Sequence, residues 1–313
     1  MGAASIREPP RAASFRRWRR LFAGRADGRR RPELTAFVLG GGGTRGAVQV
    51  GMLTELVERG IRADRVFGAS GGAVNGAVYC ADPTPEGMER LQHTWLNLRA
   101  DDVFPQGRVH GPWMFFQQRP SIHPNTGLRE VIEKGVLFDR IENAVIPLEV
   151  IATSLRDGRE HWFSEGPMVD AVLASAAIPG IFPPMAAGDD VLIDGGVVNN
   201  VPISRALAAG ATTIYVLLCE PLHYHPDISK RPLEAVLTAF FVGIHSRFVR
   251  DVGLLPPGVR VIVFSGEERA AGDYRDFGAA AEMILAGRDE VTRVLGLVEH
   301  DRHSGLVGWS DDD

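Results

Sequence analysis

Cysteine and long apolar runs are scarce in this sequence. Cys80 and Cys219 are its only cysteines and lie far apart, so neither a disulfide framework nor a cysteine-based zinc site is indicated. No stretch approaches the roughly 18 consecutive apolar residues of a membrane-spanning helix, and the N-terminus lacks the apolar segment of a secretory signal. We therefore expect a soluble protein of the cytoplasm, a reducing compartment.

The composition is otherwise that of an ordinary globular protein. The 313 residues are 45% apolar and 23% charged, which suffices for a large core. We expect a main domain over residues 34–303, between a basic N-terminal tail at 1–33 and an acidic C-terminal tail at 304–313. The segment 103–126, rich in proline and aromatic residues, is expected to be a long irregular insertion.

Positive charge is concentrated at the N-terminus. Residues 1–31 contain ten arginines, whereas the whole chain has a net charge of −5. The sequence predicts a disordered arm here, because an isolated helix of one or two turns is marginal in water. The alternative is a short basic helix lying on an anionic membrane, with Phe15, Trp18 and Phe22 on one face. Nucleic-acid binding is not expected, since the acidic remainder of the chain would repel phosphate.

Strand and helix patterns alternate from residue 34 onward. Strands interleaved with helices imply a mostly parallel sheet covered on both faces. The predicted fold class is therefore α/β, a three-layer α/β/α sandwich with a mostly parallel central sheet. Predicted strands cover 36–39, 65–69, 147–155, 158–163, 191–193, 211–218 and 260–264, and predicted helices cover 47–59, 71–80, 86–99, 168–177, 203–209, 233–249 and 277–300.

Two glycine-rich turns follow the first two predicted strands. The second turn places Ser70 between Gly68 and Gly72, as G-x-S-x-G. In such a turn the serine has a strained backbone, and the glycines let the strand and the next helix pass close together. The first turn can aim backbone N–H groups at a developing negative charge, supported by the positive end of the following helix. It consists of Gly41, Gly42, Gly43, Thr44, Arg45 and Gly46. Together the two turns suggest an esterase site.

The first turn also fits the dinucleotide fingerprint G-x-G-x-x-G. A dinucleotide site needs an acidic residue at the end of the second strand. Asp64 precedes that strand instead, and the Ser70 turn occupies its end. We therefore favour an oxyanion-binding loop over a dinucleotide site. Two roles for Arg45 stay open, because it can strengthen the positive field of the loop or fix the loop through a salt bridge.

Four ordered blocks of the sequence resemble those of the patatin-like phospholipase family. They are G-G-G-T-R-G at 41–46, G-A-S-G-G at 68–72, S-A-A-I-P-G-I-F-P-P at 175–184 and D-G-G-V-V-N-N-V-P at 194–202. The resemblance covers about residues 34–265. It implies lipid acyl hydrolysis by a serine–aspartate dyad in an α/β fold. Gly71 departs slightly from the pattern, since relatives often carry alanine there.

The resemblance also implies roles for individual residues. Ser70 would be the nucleophile, Asp194 the general base that accepts its proton, and the loop 41–46 the oxyanion hole. Gly195 and Gly196 allow close approach to Asp194, and Asn199 and Asn200 are expected to hold that turn through side-chain hydrogen bonds to the backbone. The proton transfer requires a site dry enough to raise the pKa of the aspartate above its usual value near 3.9.

None of the nine histidines lies in these four blocks, so a Ser-His-Asp triad would need a histidine from elsewhere in the chain. His161, His223 and His225 are the best candidates. We expect each of them to be an ordinary surface or loop residue. The sequence therefore favours a dyad without histidine.

The predicted activity is that of a carboxylic ester hydrolase, EC 3.1.1, of the phospholipase or lysophospholipase type. No calcium-binding loop is evident, so we expect no metal and no cofactor. The alternative is a catalytically idle, membrane-recruited binding protein of the same fold.

The expected partner is a lipid ester. Candidates for an apolar trough are the segments 112–116 and 236–244, although we expect the second to be core. Peripheral membrane contact would use the arginine-rich N-terminal segment or the 112–116 loop. The oligomeric state stays open.

Overall fold

Short apolar segments of the chain assemble into one central β-sheet. The computed structural model describes residues 33–105, 120–222, 232–267, 274–300 and 306–307, and these contain nine strands. The strands are β1 Thr35–Leu39, β2 Arg65–Ala69, β3 Leu148–Ser154, β4 Glu160–Phe163, β5 Met185–Ala187, β6 Asp190–Asp194, β7 Thr213–Leu217, β8 Arg260–Phe264 and β9 Leu306–Val307.

The sheet is parallel through its centre and antiparallel at one side. The strand order is β5-β6-β3-β2-β1-β7-β8-β9, with β4 paired to β3. Strands β3, β2, β1, β7, β8 and β9 are parallel to one another. Strands β4 and β6 run antiparallel to β3, and β5 runs antiparallel to β6. The carboxyl ends of β1, β2 and β7 therefore meet at one edge of the sheet.

Helices cover both faces of this sheet. The described helices are α1 Ala47–Glu58, α2 Gly71–Ala81, α3 Pro85–Asn97, α4 Ala100–Val103, α5 Thr126–Gly135, α6 Met168–Ser175, α7 Gly196–Asn199, α8 Ile203–Ala208, α9 Pro232–Val252 and α10 Ala280–His300. Two short 3₁₀ helices cover Gly43–Gly46 and Ile141–Asn143.

Side-chain alternation along β1 explains the layers. Successive residues of a strand point to opposite faces. Phe37 and Leu39 pack into the larger core with residues of α1, α2 and α10. Ala36 and Val38 pack into a second core with residues of α8 and with Phe248 of α9. All four side chains are fully buried, as expected for a central strand covered on both sides.

The predicted fold class is confirmed: the sheet is mixed but mostly parallel, with helices on both faces. Five of the labelled helices and strands were not predicted, namely α4, α5, α7, β5 and β9. In strand β9, Leu306 and Val307 pair with β8. This strand lies within 304–313, the segment that we expected to be an acidic tail. The tail segment 1–32 and most of the predicted insertion, 106–119, lie outside the described residues.

The interpretation of 236–244 as core is wrong for the valines whose side chains are described. Val236 is 66% exposed and Val242 is 45% exposed. They lie on α9, in which Phe248 and Val252 are buried. The apolar run therefore indicated a helix correctly, but its two described valines are not core residues.

Candidate active site

Ser70 lies on a strained turn between β2 and α2. Its φ of 51° makes it the one non-glycine residue with positive φ in the described part of the chain. A serine costs about 1–3 kcal/mol in such a conformation, and strain of this kind is typical of the nucleophile elbow, which holds the hydroxyl clear of the strand. The side chain is buried, with 5% of the residue exposed.

The glycines around Ser70 are required by close backbone contacts. A Cβ at Gly68 would lie 2.7 Å from Cα of Ala73 in α2, and one at Gly72 would lie 2.3 Å from the carbonyl oxygen of Leu39. Both distances are too short for any side chain. The predicted reason for the G-x-S-x-G pattern, close passage of strand and helix, therefore describes the observed packing.

Asp194 is placed at the end of β6 by backbone hydrogen bonds from two neighbouring segments. Its N–H donates to the carbonyl of Ala177, and the N–H of Gly195 donates to the carbonyl of Ser175. The Thr153 hydroxyl on β3 donates to the Asp194 carbonyl at 2.7 Å. Residues of the third sequence block, 175–184, thus fix the backbone at the start of the fourth block, 194–202.

The Asp194 carboxyl is buried and its pKa is raised to about 7, first of all by desolvation. Two groups oppose this effect and lower the pKa, the Ser70 hydroxyl and the N–H of Gly196. The Gly196 N–H donates to Oδ1 at 2.7 Å. Oδ2 is buried without a hydrogen bond of regular geometry among the described residues, and the Ser70 hydroxyl is a close polar neighbour of this carboxyl group.

The glycine loop after β1 packs directly against the Ser70 turn. A Cβ at Gly41 would lie 2.7 Å from Cβ of Ser70, and one at Gly71 would lie 3.4 Å from the backbone N of Gly43. The N–H of Gly41 donates to Asn200 and that of Arg45 to the carbonyl of Gly42.

The backbone amides of the loop are not equivalent as oxyanion donors. In the described structure, the N–H groups of Gly42, Gly43 and Thr44 have no hydrogen-bond partner. The N–H of Gly71 is likewise free of a partner there, as expected for the first residue of a helix. The assignment of the loop 41–46 as an oxyanion hole stays a prediction, and within that loop the N–H groups of Gly41 and Arg45 are already engaged.

Three other predicted loop and motif residues have structural contacts. Asn200 forms two hydrogen bonds to Gly41, accepting from its N–H at 3.1 Å and donating to its carbonyl at 3.1 Å. Arg45 forms an ion pair with Glu220, just beyond β7. This contact corresponds to the loop-fixing role among the two that the sequence left open. The carbonyl of Gly46 accepts a hydrogen bond from Asn75.

A buried polar network under the loop was not predicted. Gln49 donates to the carbonyls of Gly40 and Leu217, at 2.7 and 2.9 Å. Asn75 donates to Gln49 and accepts from the indole N–H of Trp95. The available signal was that Gln49 and Asn75 are each flanked by apolar or small residues within a predicted helix.

Ser175 is a second residue that sequence reasoning left without an individual role. Its hydroxyl accepts a hydrogen bond from the backbone N–H of Ser70 at 2.9 Å. It therefore holds the strained turn from the side of α6. The signal was its position at the start of the third block, but nothing local in the sequence shows that 175 reaches 70.

An apolar cavity opens at Ser70 and the glycine loop. The empty space within it is about 770 Å³, including solvent at its mouth. Its walls come from α2, α3, α5 and the segment around 176–182, and no charged side chain lines it in the described structure. The lining residues are Gly43, Thr44, Ser70, Gly71, Val74, Val78, Leu91, Thr94, Trp95, Leu98, Val103, Phe104, Leu128, Val131, Ile132, Gly135, Ala176, Ile178, Phe182 and Phe277.

The structure gives no support to the alternatives of a dinucleotide site or a histidine triad. The Asp64 carboxylate accepts a hydrogen bond from the N–H of Thr35 at the start of β1, the sheet edge opposite Ser70. No histidine lines the cavity among the described residues, and the ring of His161 packs 4.7 Å from that of Phe163. His223 and His225 lie outside the described residues, as does the 112–116 segment.

Neither a metal-binding cluster nor a membrane-spanning helix is found among the described residues. No group of three or more histidine, cysteine, aspartate or glutamate residues is placed to hold a metal ion within them. No helix among them combines the length and apolarity needed to cross a bilayer.

Comparison with known proteins places the chain among relatives that are considerably longer. It is 29% identical over 224 residues to patatin-like phospholipase domain-containing protein 7 of Mus musculus, covering 67% of this chain and 15% of that protein. It is 29% identical over 214 residues to lysophospholipase nte1 of Aspergillus terreus, covering 67% of this chain and 13% of that protein. The chain thus spans less than half the length of these curated relatives. The crystal structure of VipD from Legionella pneumophila aligns with a TM-score of 0.44 at 15% identity, covering 84% of this chain and 66% of that one.

A strained serine at a strand–helix turn of an α/β sheet is the architecture of nucleophile-elbow proteins. Residues 37–207 match the family model described as patatin-like phospholipase, which is more than half of the chain. The chain belongs to the patatin-like phospholipase family, as the four sequence blocks indicated.

Proposed function

We propose that this protein is a metal-independent serine acyl hydrolase that cleaves carboxylic esters of phospholipids, lysophospholipids or neutral lipids. The observation that carries the proposal is the pairing of a strained serine with a buried carboxyl group whose pKa is about 7. A general base works best when its pKa lies near the operating pH. An ordinary surface aspartate would be too weak a base for a serine hydroxyl.

In the first half of the proposed reaction, Ser70 forms the acyl-enzyme. Its Oγ attacks the ester carbonyl carbon while its proton passes to Oδ2 of Asp194, the oxygen without a regular hydrogen bond. The tetrahedral intermediate then collapses, the bond between carbon and the leaving oxygen breaks, and Asp194 returns the proton to the departing alcohol or lysolipid. Deacylation repeats these steps with water in place of Ser70. It releases the carboxylic acid and restores the serine hydroxyl.

The backbone amides at Gly42, Gly43 and Thr44 are the proposed oxyanion donors, together with that of Gly71. They adjoin the Ser70 turn, and their N–H groups have no other partner in the described structure. Losing one such donor typically costs about 10²–10³ in turnover. Asn200, Gln49 and the Arg45–Glu220 pair position this loop without touching the reacting atoms.

The choice of a lipid substrate is supported by the relatives and by the cavity. Aspergillus terreus nte1 is called a lysophospholipase and the mouse protein a patatin-like phospholipase. The apolar cavity beside Ser70 suits a hydrocarbon chain. Peripheral membrane contact through the N-terminal segment or the 112–116 loop stays a prediction.

The first test combines active-site labelling with substitution. A fluorophosphonate probe should label the wild-type protein at Ser70, and Ser70→Ala should abolish both labelling and hydrolysis of a short p-nitrophenyl ester. Asp194→Asn should lower turnover by at least about 10³, because removal of a general base from a coupled pair costs on this order. Chelation by EDTA should leave wild-type turnover unchanged.

Ser154→Ala is the matched control, because Ser154 is also 5% exposed but bonds to Asp190 rather than Asp194. It should retain labelling and turnover. A folded wild-type protein that is neither labelled nor active would overturn the proposal and favour the catalytically idle binding protein. Full activity in Asp194→Asn would remove Asp194 from the mechanism.

A further inference from the structure

The apolar cavity beside Ser70 follows one face of α2. Ser70, Val74 and Val78 all line it and are spaced four residues apart, so they lie on successive turns of the same helix face. At the rise of an α-helix, the eight residue steps from Ser70 to Val78 span about 12 Å. The cavity thus has a reactive end at Ser70 and a far end near Val78.

The far end lies where α2 faces the end of α5. Gly135, the last residue of α5, also lines the cavity. A Cβ at Gly135 would lie 3.4 Å from Cγ2 of Val78, and no other atom would come within 4 Å of it. A larger side chain at 135 would therefore extend along Val78 and occupy space that the cavity now contains.

The lining decides which part of an ester can enter. No charged side chain lines the cavity in the described structure, and the hydroxyls of Thr44 and Ser70 both lie at its reactive end. Thr94 adds the only other side-chain hydroxyl. A phosphate or other charged head group placed inside would lose its hydration without gaining partners. The cavity accordingly suits the hydrocarbon part of the acyl group, with the alcohol part of the ester left on the solvent side of Ser70.

We propose that this cavity binds the acyl chain and that Val78 and Gly135 limit its length to about ten carbons, since an extended chain advances about 1.2 Å per bond. The inference rests on the proposed function for its chemistry but on the cavity alone for its length limit. Each methylene group removed from water should raise kcat/KM about fourfold. Methylene groups beyond the far end should add nothing.

The kinetic test uses p-nitrophenyl esters with acyl chains of four to sixteen carbons, each below its aggregation concentration. In the wild type, kcat/KM should rise with chain length and stop rising near ten carbons. In Gly135→Leu the rise should stop about three carbons earlier, because the three side-chain bonds of leucine occupy that length.

Gly243→Leu is the matched control for this substitution. Gly243 is also a helical glycine, in α9, and nothing lies within 4 Å of a Cβ built there. It does not line the cavity, so its chain-length profile should equal that of wild type. Identical profiles for Gly135→Leu and Gly243→Leu, or a wild-type kcat/KM that climbs evenly to sixteen carbons, would overturn the length limit while leaving ester hydrolysis intact.

A binding measurement separates this inference from the proposed function. Ser70→Ala, which lacks the nucleophile, is titrated calorimetrically with methyl esters of six- to fourteen-carbon acids. Affinity should increase up to about ten carbons, and the double variant Ser70→Ala/Gly135→Leu should reach its limit earlier. If this result is obtained although the wild type hydrolyses no ester, the assignment of the cavity to the acyl chain stands and the proposed hydrolase activity is rejected. Affinity independent of chain length would reject the cavity assignment.

Discussion

The two carboxyl oxygens of Asp194 have different surroundings. Oδ1 accepts the Gly196 N–H, whereas Oδ2 is buried without a regular hydrogen bond among the described residues. Burial destabilises the charged form, and this effect outweighs the opposing influence of Ser70 and Gly196, so that the pKa is about 7. The same residue type on an exposed turn would be ionised throughout the neutral range.

We therefore expect a pH dependence that reports on Asp194. The proposed base must be deprotonated, so kcat/KM should be constant above about pH 7 and fall about tenfold for each pH unit below it. The measurement is a pH profile of kcat/KM with an ester whose leaving alcohol does not ionise in this range.

Asp190→Asn provides the control for the pH profile. Asp190 is on the same strand, and hydrogen bonding from Ser154 lowers its pKa. Its replacement should leave the inflection near pH 7 in place. An inflection near pH 4 in the wild type would mean that the essential base is not a desolvated carboxyl group.

At this scale, local sequence signals indicated the proposed reacting residues but not the residues that support them. Ser70 and Asp194 stand in short glycine motifs whose reasons are visible within five residues of chain. Ser175 acts on Ser70 across more than a hundred residues, and Gln49 contacts Gly40 and Leu217 together. Those contacts exist only after the sheet has formed, so no local pattern encodes them.

Among the elements, β1 and α2 approach unusually closely at the glycines that follow Ser70. The neighbours Gly71 and Gly72 differ sharply in the space available. A Cβ at Gly71 would lie no closer than 3.4 Å to any atom, an ordinary contact, whereas one at Gly72 would lie 2.3 Å from the Leu39 carbonyl oxygen. Strand and helix can be this close only because position 72 has no side chain.

This difference predicts opposite results for adjacent alanine substitutions. Gly72→Ala should destabilise the protein by about 3 kcal/mol or more, because it forces β1 and α2 apart. Gly71→Ala should change stability by less than about 1 kcal/mol, since alanine also favours the helix. Urea denaturation of both variants checks this prediction. Equal losses of stability would show that β1 and α2 do not approach as described.

Periodicity identified most elements but missed those whose formation depends on neighbours. Helix α5 has buried Leu128 and Ile132, yet it follows an irregular, proline-rich stretch that obscured it. Strand β9 consists of two residues and is recognisable only from its pairing with β8. The cavity could not be predicted, because its walls combine α2, α3, α5 and Phe277 from separate parts of the sequence.

For the molecule as a whole, the raised pKa of Asp194 links stability to pH. Between about pH 4 and pH 7 the folded state keeps a proton that the unfolded chain has lost, so this group's contribution to stability declines as pH rises through that window. Asp194→Asn carries no charge and keeps an oxygen for the Gly196 N–H. At pH 8 it should be more stable than wild type by up to about 4 kcal/mol.

The measurement is the free energy of unfolding in urea at pH 5 and pH 8. The advantage of Asp194→Asn should be small at pH 5 and large at pH 8. Asp190→Asn should gain no stability at pH 8, because the pKa of Asp190 is lowered in the folded state. A stability difference for Asp194→Asn that does not depend on pH would contradict the assigned desolvation.

The order of strands in the sheet has a consequence for biosynthesis. Strand β1 ends at Leu39, but its partner β7 begins only at Thr213. At translation rates of about 5–20 residues per second, the nascent chain waits roughly 10–35 s before that edge can be paired. Asp194 also emerges from the ribosome long after Ser70. The newly made polypeptide therefore leaves one edge of an apolar strand unpaired until β7 has been made, a state that chaperones recognise, and can acquire the proposed pair of reacting groups only after residue 194 has emerged.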